Sequence, residues 1–265
     1  MSAYYNEIDP HAAQWLRNLI AARNLPAGDV DERSIRDVKI EDLRGYTQCH
    51  FFAGLGGWPY ALRLAGWPDD RPVWTGSCPC QPFSVIGQGA GFADERHLWP
   101  VWGGLIAERK PGVVFGEQVD GRDGRAWLDL VWSDMEALGY AFAPAVLPAS
   151  GFGAPHGRHR LFFVGDSEYA GLEGHTGDVA GFLESGWQRA QARRPVTEAS
   201  AAGGAWGGAA WVPCSDGYQR PFQPGAFPLA DGVSSRVVLL RAYGNAIVAP
   251  VAEEFIRAYI LERGI

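Results

Sequence analysis

Gln48-Cys-His-Phe-Phe-Ala-Gly-Leu-Gly-Gly57 is an apolar run that meets a glycine turn, and Tyr60 to Ala65 behind it reads as a helix. Strand, tight turn and helix in that order form the entry unit of a doubly wound α/β sheet. Glycines in such a turn let the backbone approach a ligand, and the N-terminus of the next helix offers unpaired N–H groups. Taken alone, the turn serves tight packing as readily as it serves a ligand.

The same alternation continues downstream. Pro72-Val-Trp-Thr75 reads as a strand, Leu98 to Glu108 as a helix, Gly112-Val-Val-Phe115 as a strand and Gly124 to Leu138 as a helix. Tyr140 to Leu147 and Leu161-Phe-Phe-Val164 read as a closing antiparallel pair. The pattern predicts one mostly parallel α/β sheet of five to seven strands. Upstream, Pro10 to Asn24 reads as an amphipathic helix with Trp15, Leu16, Leu19 and Ile20 on one face, and Gly28 to Gly45 as a charged connector. Residues 166–225, rich in Gly and Ala and poor in periodicity, read as a small irregular region. The expected organisation is a catalytic α/β part at 1–165 with an N-terminal helical extension, the irregular region at 166–225, and a segment at 226–265 whose helix, Ala246 to Glu262, returns to the sheet.

A chain of 265 residues, 47% hydrophobic, can bury a full core. The first ten residues are polar and acidic, unlike a signal peptide, and no apolar run approaches the roughly 20 residues of a membrane span. A soluble, cytoplasmic monomer is expected. Cysteines at 49, 78, 80 and 214 make neither a disulfide framework nor a zinc or redox pair. A formal net charge of -7 argues against coating nucleic acid by bulk electrostatics, although it allows a local basic cleft.

Gly76-Ser-Cys-Pro-Cys-Gln-Pro-Phe-Ser84 follows a strand at the carboxyl edge, where α/β sheets hold ligands. Pro79 and Pro82 fix the backbone around Cys80 and aim its sulfur, as a cysteine nucleophile requires. Phe115-Gly-Glu-Gln-Val119 ends the next strand on an acid, which places Glu117 on the same rim as Cys80; taken alone, such a carboxylate reads as an exposed turn residue before a site group. Gly153-Ala-Pro-His-Gly-Arg-His-Arg160 carries arginines at i and i+2, so Arg158 and Arg160 share one face of an extended segment. Arg241-Ala-Tyr-Gly-Asn-Ala-Ile-Val248 opens the last helix.

These segments, in this order, resemble the cytosine-C5 DNA methyltransferase family: the glycine loop at 52–57, the cysteine loop at 79–84, Glu-x-Val at 117–119, Arg-x-Arg at 158–160 and Gly-Asn at 244–245. The resemblance spans roughly residues 48–165 and 228–262. It implies a Rossmann-like methyltransferase that uses S-adenosyl-L-methionine and acts on duplex DNA with a flipped cytosine. Cys80 matches the family nucleophile that adds to C6, Glu117 the acid at N3, and Arg160, supported by Arg158, the contact to the base. Phe52, Ala53, Gly54, Leu55, Gly56, Gly57, Pro79 and Asn245 match the cofactor side. Val85 to His97 corresponds to a mobile closing loop and residues 166–225 to the target-recognition region. The same chemistry on tRNA or on a free cytosine nucleotide is an alternative, as is a relative that binds DNA without catalysis.

The chain departs from the family in one large respect. Only residues 58–78 separate the glycine loop from the cysteine loop, where the family fits two strands whose acids hold ribose and adenine. Upstream, Gly28-Asp-Val-Asp-Glu-Arg-Ser-Ile-Arg-Asp-Val38 resembles the missing adenine-side segment. The N-terminal helix and this stretch are therefore expected to replace the lost strands from the other side of the glycine motif, with Asp29 or Asp31 contacting the cofactor. Smaller departures are Gln118 in place of asparagine and His156 in place of glutamine.

Overall fold

The computed structural model describes residues 2–79, 98–152, 158–169, 210–213, 219–222 and 246–265. Its centre is β3 (Tyr46–Phe51), the strand of the glycine motif, followed by α2 (Gly57–Leu64) and β4 (Val73–Gly76). α3 (Trp99–Arg109), β5 (Val113–Val119), α4 (Arg122–Ala137), β6 (Ala141–Pro148) and β7 (His159–Asp166) complete that side. On the other side lie β1 (Ser2–Asn6), α1 (Pro10–Ala21) and β2 (Gly28–Asp31). The seven strands run in the order β2-β1-β3-β4-β5-β7-β6, parallel from β2 to β5, with β7 antiparallel to both its neighbours. The expected doubly wound, mostly parallel sheet is what forms.

Two elements in the N-terminal region differ from the sequence reading. Ser2–Asn6, inside the stretch read as polar and acidic, is a strand with Ala3, Tyr4, Tyr5 and Asn6 all buried. Its tyrosines are amphipathic enough to be buried while their hydroxyls stay paired: Tyr5 donates to the Pro26 carbonyl and Tyr4 to Asp31, both at 2.7 Å. Gly28-Asp-Val-Asp31, read as part of a connector, is the edge strand β2. It approaches β1 so closely that a Cβ on Gly28 would run into the Ala3 carbonyl. Two 3₁₀ turns, Ile35–Asp37 and Ile40–Leu43, return the chain to β3. α1 forms as expected, capped by Asp9, but it buries Ala12, Ala13 and Leu16 while Trp15 stays exposed. Small side chains on that stripe let the helix lie close to the sheet.

Register shows how the layers are arranged. Tyr5, His50, Thr75 and Phe115 align across β1, β3, β4 and β5 and so share one face. α1 packs on that face through Leu16, and α2 through Trp58 and Leu62. The C-terminal helix α5 (Ala249–Arg263) joins them through Val251, Ala252, Ile256 and Tyr259. The opposite face carries the 3₁₀ turns, α3 and α4, around an edge-to-face cluster of Trp99, Trp102 and Trp127. β1–α1–β2 steps outward one way and β3–α2–β4 steps the other, yet both helices lie on the same face. The two crossovers must therefore have opposite hands, against the strong general preference for right-handed ones. Beyond the sheet, β8 (Ala210–Pro213) pairs antiparallel with β9 (Gln219–Phe222) inside the region read as irregular.

His50 lies at the seam of the sheet, fully buried, with Nδ1 2.8 Å from Thr75 Oγ1 and Nε2 without a hydrogen-bond partner among the described residues. Burial pushes its pKa down to about 3, so the imidazole is neutral.

Candidate active site

The carboxyl ends of β1, β3, β4 and β5 meet along one edge, and the chain turns away from β3 in opposite directions on either side. Ligands in open α/β sheets bind at such a switch point. The glycine turn is built there on left-handed backbone: φ is +54° at Gly54 and +83° at Gly56. Phe52, with no such freedom, is held at φ +51° and packs edge-on against Trp102. A bulky residue in that region is strained, and surrounding contacts must hold it there. Leu16 and Leu25 fill the space a Cβ on Gly56 would need, and Ile247 fills that of Gly57. The segment leading into α5 thus closes against the turn.

The sequence reading missed the acid nearest this turn. Glu7 directly follows β1, and its Oε2 accepts a 2.7 Å hydrogen bond from the Gly54 N–H. A second tie, Ala53 N–H to the Asn6 carbonyl at 3.0 Å, fixes the two strand ends together. The signal was present in Ala-Tyr-Tyr-Asn-Glu: a short run ending in an acid, as β5 ends near Glu117.

One strand farther out, an open polar cleft of about 400 Å³ is lined by Tyr4, Arg17, Asp29, Asp31, Arg33 and Tyr46, among others. Asp29 accepts from the Tyr46 hydroxyl at 2.7 Å. Asp31 is more fully engaged, by Tyr4 and by a two-pronged contact from Arg33 at 2.7 to 3.1 Å. Partial burial pushes the Asp31 carboxyl up, but these hydrogen bonds outweigh it and bring its pKa to about 2. Of the two acids expected to reach a cofactor, Asp29 is the more exposed and Asp31 is committed to its neighbours.

On the other side of the turn, Glu117 is 5% exposed near the end of β5. Arg160, near the start of β7, places its Nε 2.8 Å from Glu117 Oε1, because antiparallel pairing sets Val119 opposite Arg160. Burial raises the Glu117 pKa, and it outweighs the lowering by Arg160, Ser77 and Arg158. A carboxyl of this kind holds its proton more readily than one in water. Arg158 lies beside it with Nε buried and without a hydrogen-bond partner among the described residues. Gln118 donates from Nε2 to the Cys78 carbonyl at 2.9 Å and so ties β5 to the start of the cysteine loop.

The structure brings Glu117, Arg158 and Arg160 together, with Pro79 on the neighbouring loop. It sets the glycine turn beside them and Asp29 and Asp31 at the far end of the same edge. Cys80, the loop at 85–97, His156 and Asn245 lie outside the described residues. No group of three or more potential metal ligands occurs among the described residues, and no helix there is long and apolar enough to cross a membrane.

A family profile described as C-5 cytosine-specific DNA methylase matches residues 2–176. Type II methyltransferase M.HhaI of Haemophilus parahaemolyticus is 29% identical over 167 residues, covering 48% of this chain and 51% of the relative. Type II methyltransferase M.AplI of Arthrospira platensis is 35% identical over 103 residues, covering 38% of this chain and 29% of the relative. The chain thus spans about half, or less, of the length of these curated relatives. Among solved structures, the S. pombe Dnmt2 methyltransferase aligns with a TM-score of 0.41 at 14% identity, covering 64% of this chain and 52% of that one.

Proposed function

Because the chain belongs to the C-5 cytosine-specific DNA methylase family, we propose that it transfers a methyl group from S-adenosylmethionine to C5 of cytosine in duplex DNA. The observation that carries this reading is Glu117, a buried carboxyl beside the loop that leads into Cys80 and held by Arg160. Neighbouring strand ends of a parallel sheet suit a nucleophile on the loop after β4 and a proton donor on β5 acting on one planar base.

In this reading the Cys80 thiolate adds to C6, and Glu117 gives a proton to N3, which absorbs the charge that develops in the ring. Arg160 orients Glu117, and the Nε of Arg158, without a partner among the described residues, is available to the base or its phosphate. Because a duplex hides C5 and C6, the cytosine is flipped out, at an expense of a few kcal/mol. When bound, S-adenosylmethionine supplies an electrophilic methyl group. The residues present fit it: the open left-handed backbone at Gly54 admits close approach, the Glu7 carboxylate at the turn has acceptor capacity left for a ribose hydroxyl, and Asp29 is the exposed acid on the adenine side. Phe52, Leu55, Pro79 and Asn245 complete that side. Residues 166–225 are assigned to target recognition, and the protein is assigned to the cytoplasm as a monomer on DNA.

The test is a duplex carrying 5-fluorocytosine, incubated with protein and cofactor. A covalent adduct is expected with the natural chain and none with Cys80→Ser; equal trapping by both would show the mechanism to be wrong. Methylation assays on duplex DNA, tRNA and dCMP side by side identify the substrate.

A further inference from the structure

The β4–β5 ladder ends where Gly76 lies opposite Gly116, and beyond that pair side chains hold the root of the cysteine loop. Two hydrogen bonds fall there on successive residues. Trp58, in the first turn of α2, donates from Nε1 to Ser77 Oγ at 3.2 Å. Gln118 donates from Nε2 to the Cys78 carbonyl at 2.9 Å, and its Oε1 accepts from the Val119 N–H at 2.9 Å. Both ends of the Gln118 amide are therefore used, and their donor and acceptor roles admit one orientation. Trp58 and Gln118 are both buried, so water competes weakly for either bond. They come from opposite layers. Trp58 stacks on Phe115, and strand alternation turns Gln118, three residues on, toward α4, where a Cβ on Gly124 would meet its Cγ at 3.5 Å.

The residue that follows gives these bonds their consequence. A hydrogen-bonded carbonyl fixes the plane of the Cys78–Pro79 peptide, and the Pro79 ring fixes its own φ. One soft torsion, ψ of Pro79, is left between the anchored carbonyl and the Cys80 peptide. We propose that Gln118 and Trp58 are positioning residues, a clamp from both faces of the sheet that sets the direction in which the Cys80 loop leaves β4. The inference rests on the reading that Cys80 is the nucleophile. Gln118 is the stronger half, since its bond is the shorter and falls on the carbonyl next to Pro79. It also makes β5 the common support of the loop and of Glu117.

The test is the single-turnover rate at which a 5-fluorocytosine duplex is trapped at saturating cofactor. Gln118→Met keeps length and apolar bulk but removes both donor and acceptor. It is expected to slow trapping about 10- to 100-fold, the scale of a misplaced reacting group, with S-adenosylmethionine affinity within about twofold. Alkylation of Cys80 by iodoacetamide, followed by peptide mapping, should keep its natural rate, because a small reagent needs no aim. A general loosening of the fold would instead open the buried Cys49 and Cys78 to the reagent. Ser77→Ala, which removes the Trp58 half, should slow trapping roughly threefold, as loss of one neutral hydrogen bond does. The double variant should lose more than the product of the two, since either bond alone still holds the root. A natural trapping rate in Gln118→Met, with cofactor affinity intact, overturns the clamp. Where Gln118→Met fails to fold, Ser77→Ala decides, and a natural rate there overturns it equally. No trapping by the natural chain, together with methylation of no cytosine substrate, overturns instead the reading of function beneath it.

Discussion

The two halves of the site edge are built in contrasting ways. From β4 onward the chain visits its strands in the order in which a nucleophile loop, an acid and an arginine pair are needed. Among the described residues of this half, Glu117 is buried and Arg158 and Arg160 lie half-buried beside it. Glu117 lies in the interior with Arg160 at 2.8 Å. On the other side of β3, the strands come from the beginning of the chain, and their acids are more open to solvent and held by tyrosine hydroxyls. Tyr46 holds Asp29, Tyr4 holds Asp31, and the Gly54 N–H holds Glu7. The difference teaches that a site on a sheet edge depends on which strand ends adjoin, not on the order in which the chain reaches them. The consequence of the altered order appears in the connections, where two crossovers of opposite hand share one face.

The sharpest way to break the comparison is to remove the acid of the buried half. Glu117→Gln keeps the shape and the acceptor oxygen but can neither carry nor give a proton. It should lower the rate of methyl transfer by about 10²-fold or more, while S-adenosylmethionine affinity by calorimetry stays within about twofold. If affinity falls as much as rate, the two halves are not separable in the way described. Glu7→Gln tests the other half in the opposite sense. It should weaken S-adenosylmethionine binding about tenfold, on the order of 1.4 kcal/mol, and leave the rate at saturating cofactor close to that of the natural chain. Unchanged affinity there would remove Glu7 from the cofactor site and leave Asp29 as the remaining acid.

The sequence made one half legible and the other only partly so, for physical reasons. Pro79 and Pro82 around Cys80, a strand ending on Glu117, and Arg158 and Arg160 two residues apart are local signatures. Each states its chemistry within a few residues. The far half depends on Ser2–Asn6 being a strand, and a five-residue segment with two tyrosines and an asparagine lacks both alternation and a continuous aliphatic run. Only burial between β2 and β3 makes it one, a tertiary effect that no local pattern carries. With the first ten residues read only as polar and acidic, Glu7 had no strand end to belong to. Asp29 and Asp31 were found because Gly28-Asp-Val-Asp31 resembled a segment expected elsewhere in the chain, not because its strand was recognised. Gln118 shows the converse case. A departure from the family pattern has a direct reading in the structure, since its longer side chain reaches the Cys78 carbonyl.

The smallest expected effect concerns the seam between the halves. His50 sits on β3, between Tyr5 of the N-terminal half and Thr75 of the other, and its ring is neutral because burial holds the pKa near 3. An unfolded histidine titrates near 6.5. Between those values the unfolded chain binds a proton that the folded chain refuses. Stability from this residue is therefore fully present above about pH 6.5 and is lost progressively as pH falls toward 3, with a limiting slope of about 1.4 kcal/mol per pH unit. Urea unfolding at several pH values from 7 to 4 should show that slope in the natural chain. In His50→Gln, which stays neutral throughout, the slope should be shallower by that amount, whatever the substitution does to stability at pH 7. Parallel curves would mean that His50 is protonated in the folded state and that the seam admits water. If S-adenosylmethionine affinity also falls across this window, ahead of unfolding and only in the natural chain, the seam yields before the halves do. The opposite result, loss of affinity only with global unfolding, would make the two halves one cooperative unit despite their different chain order.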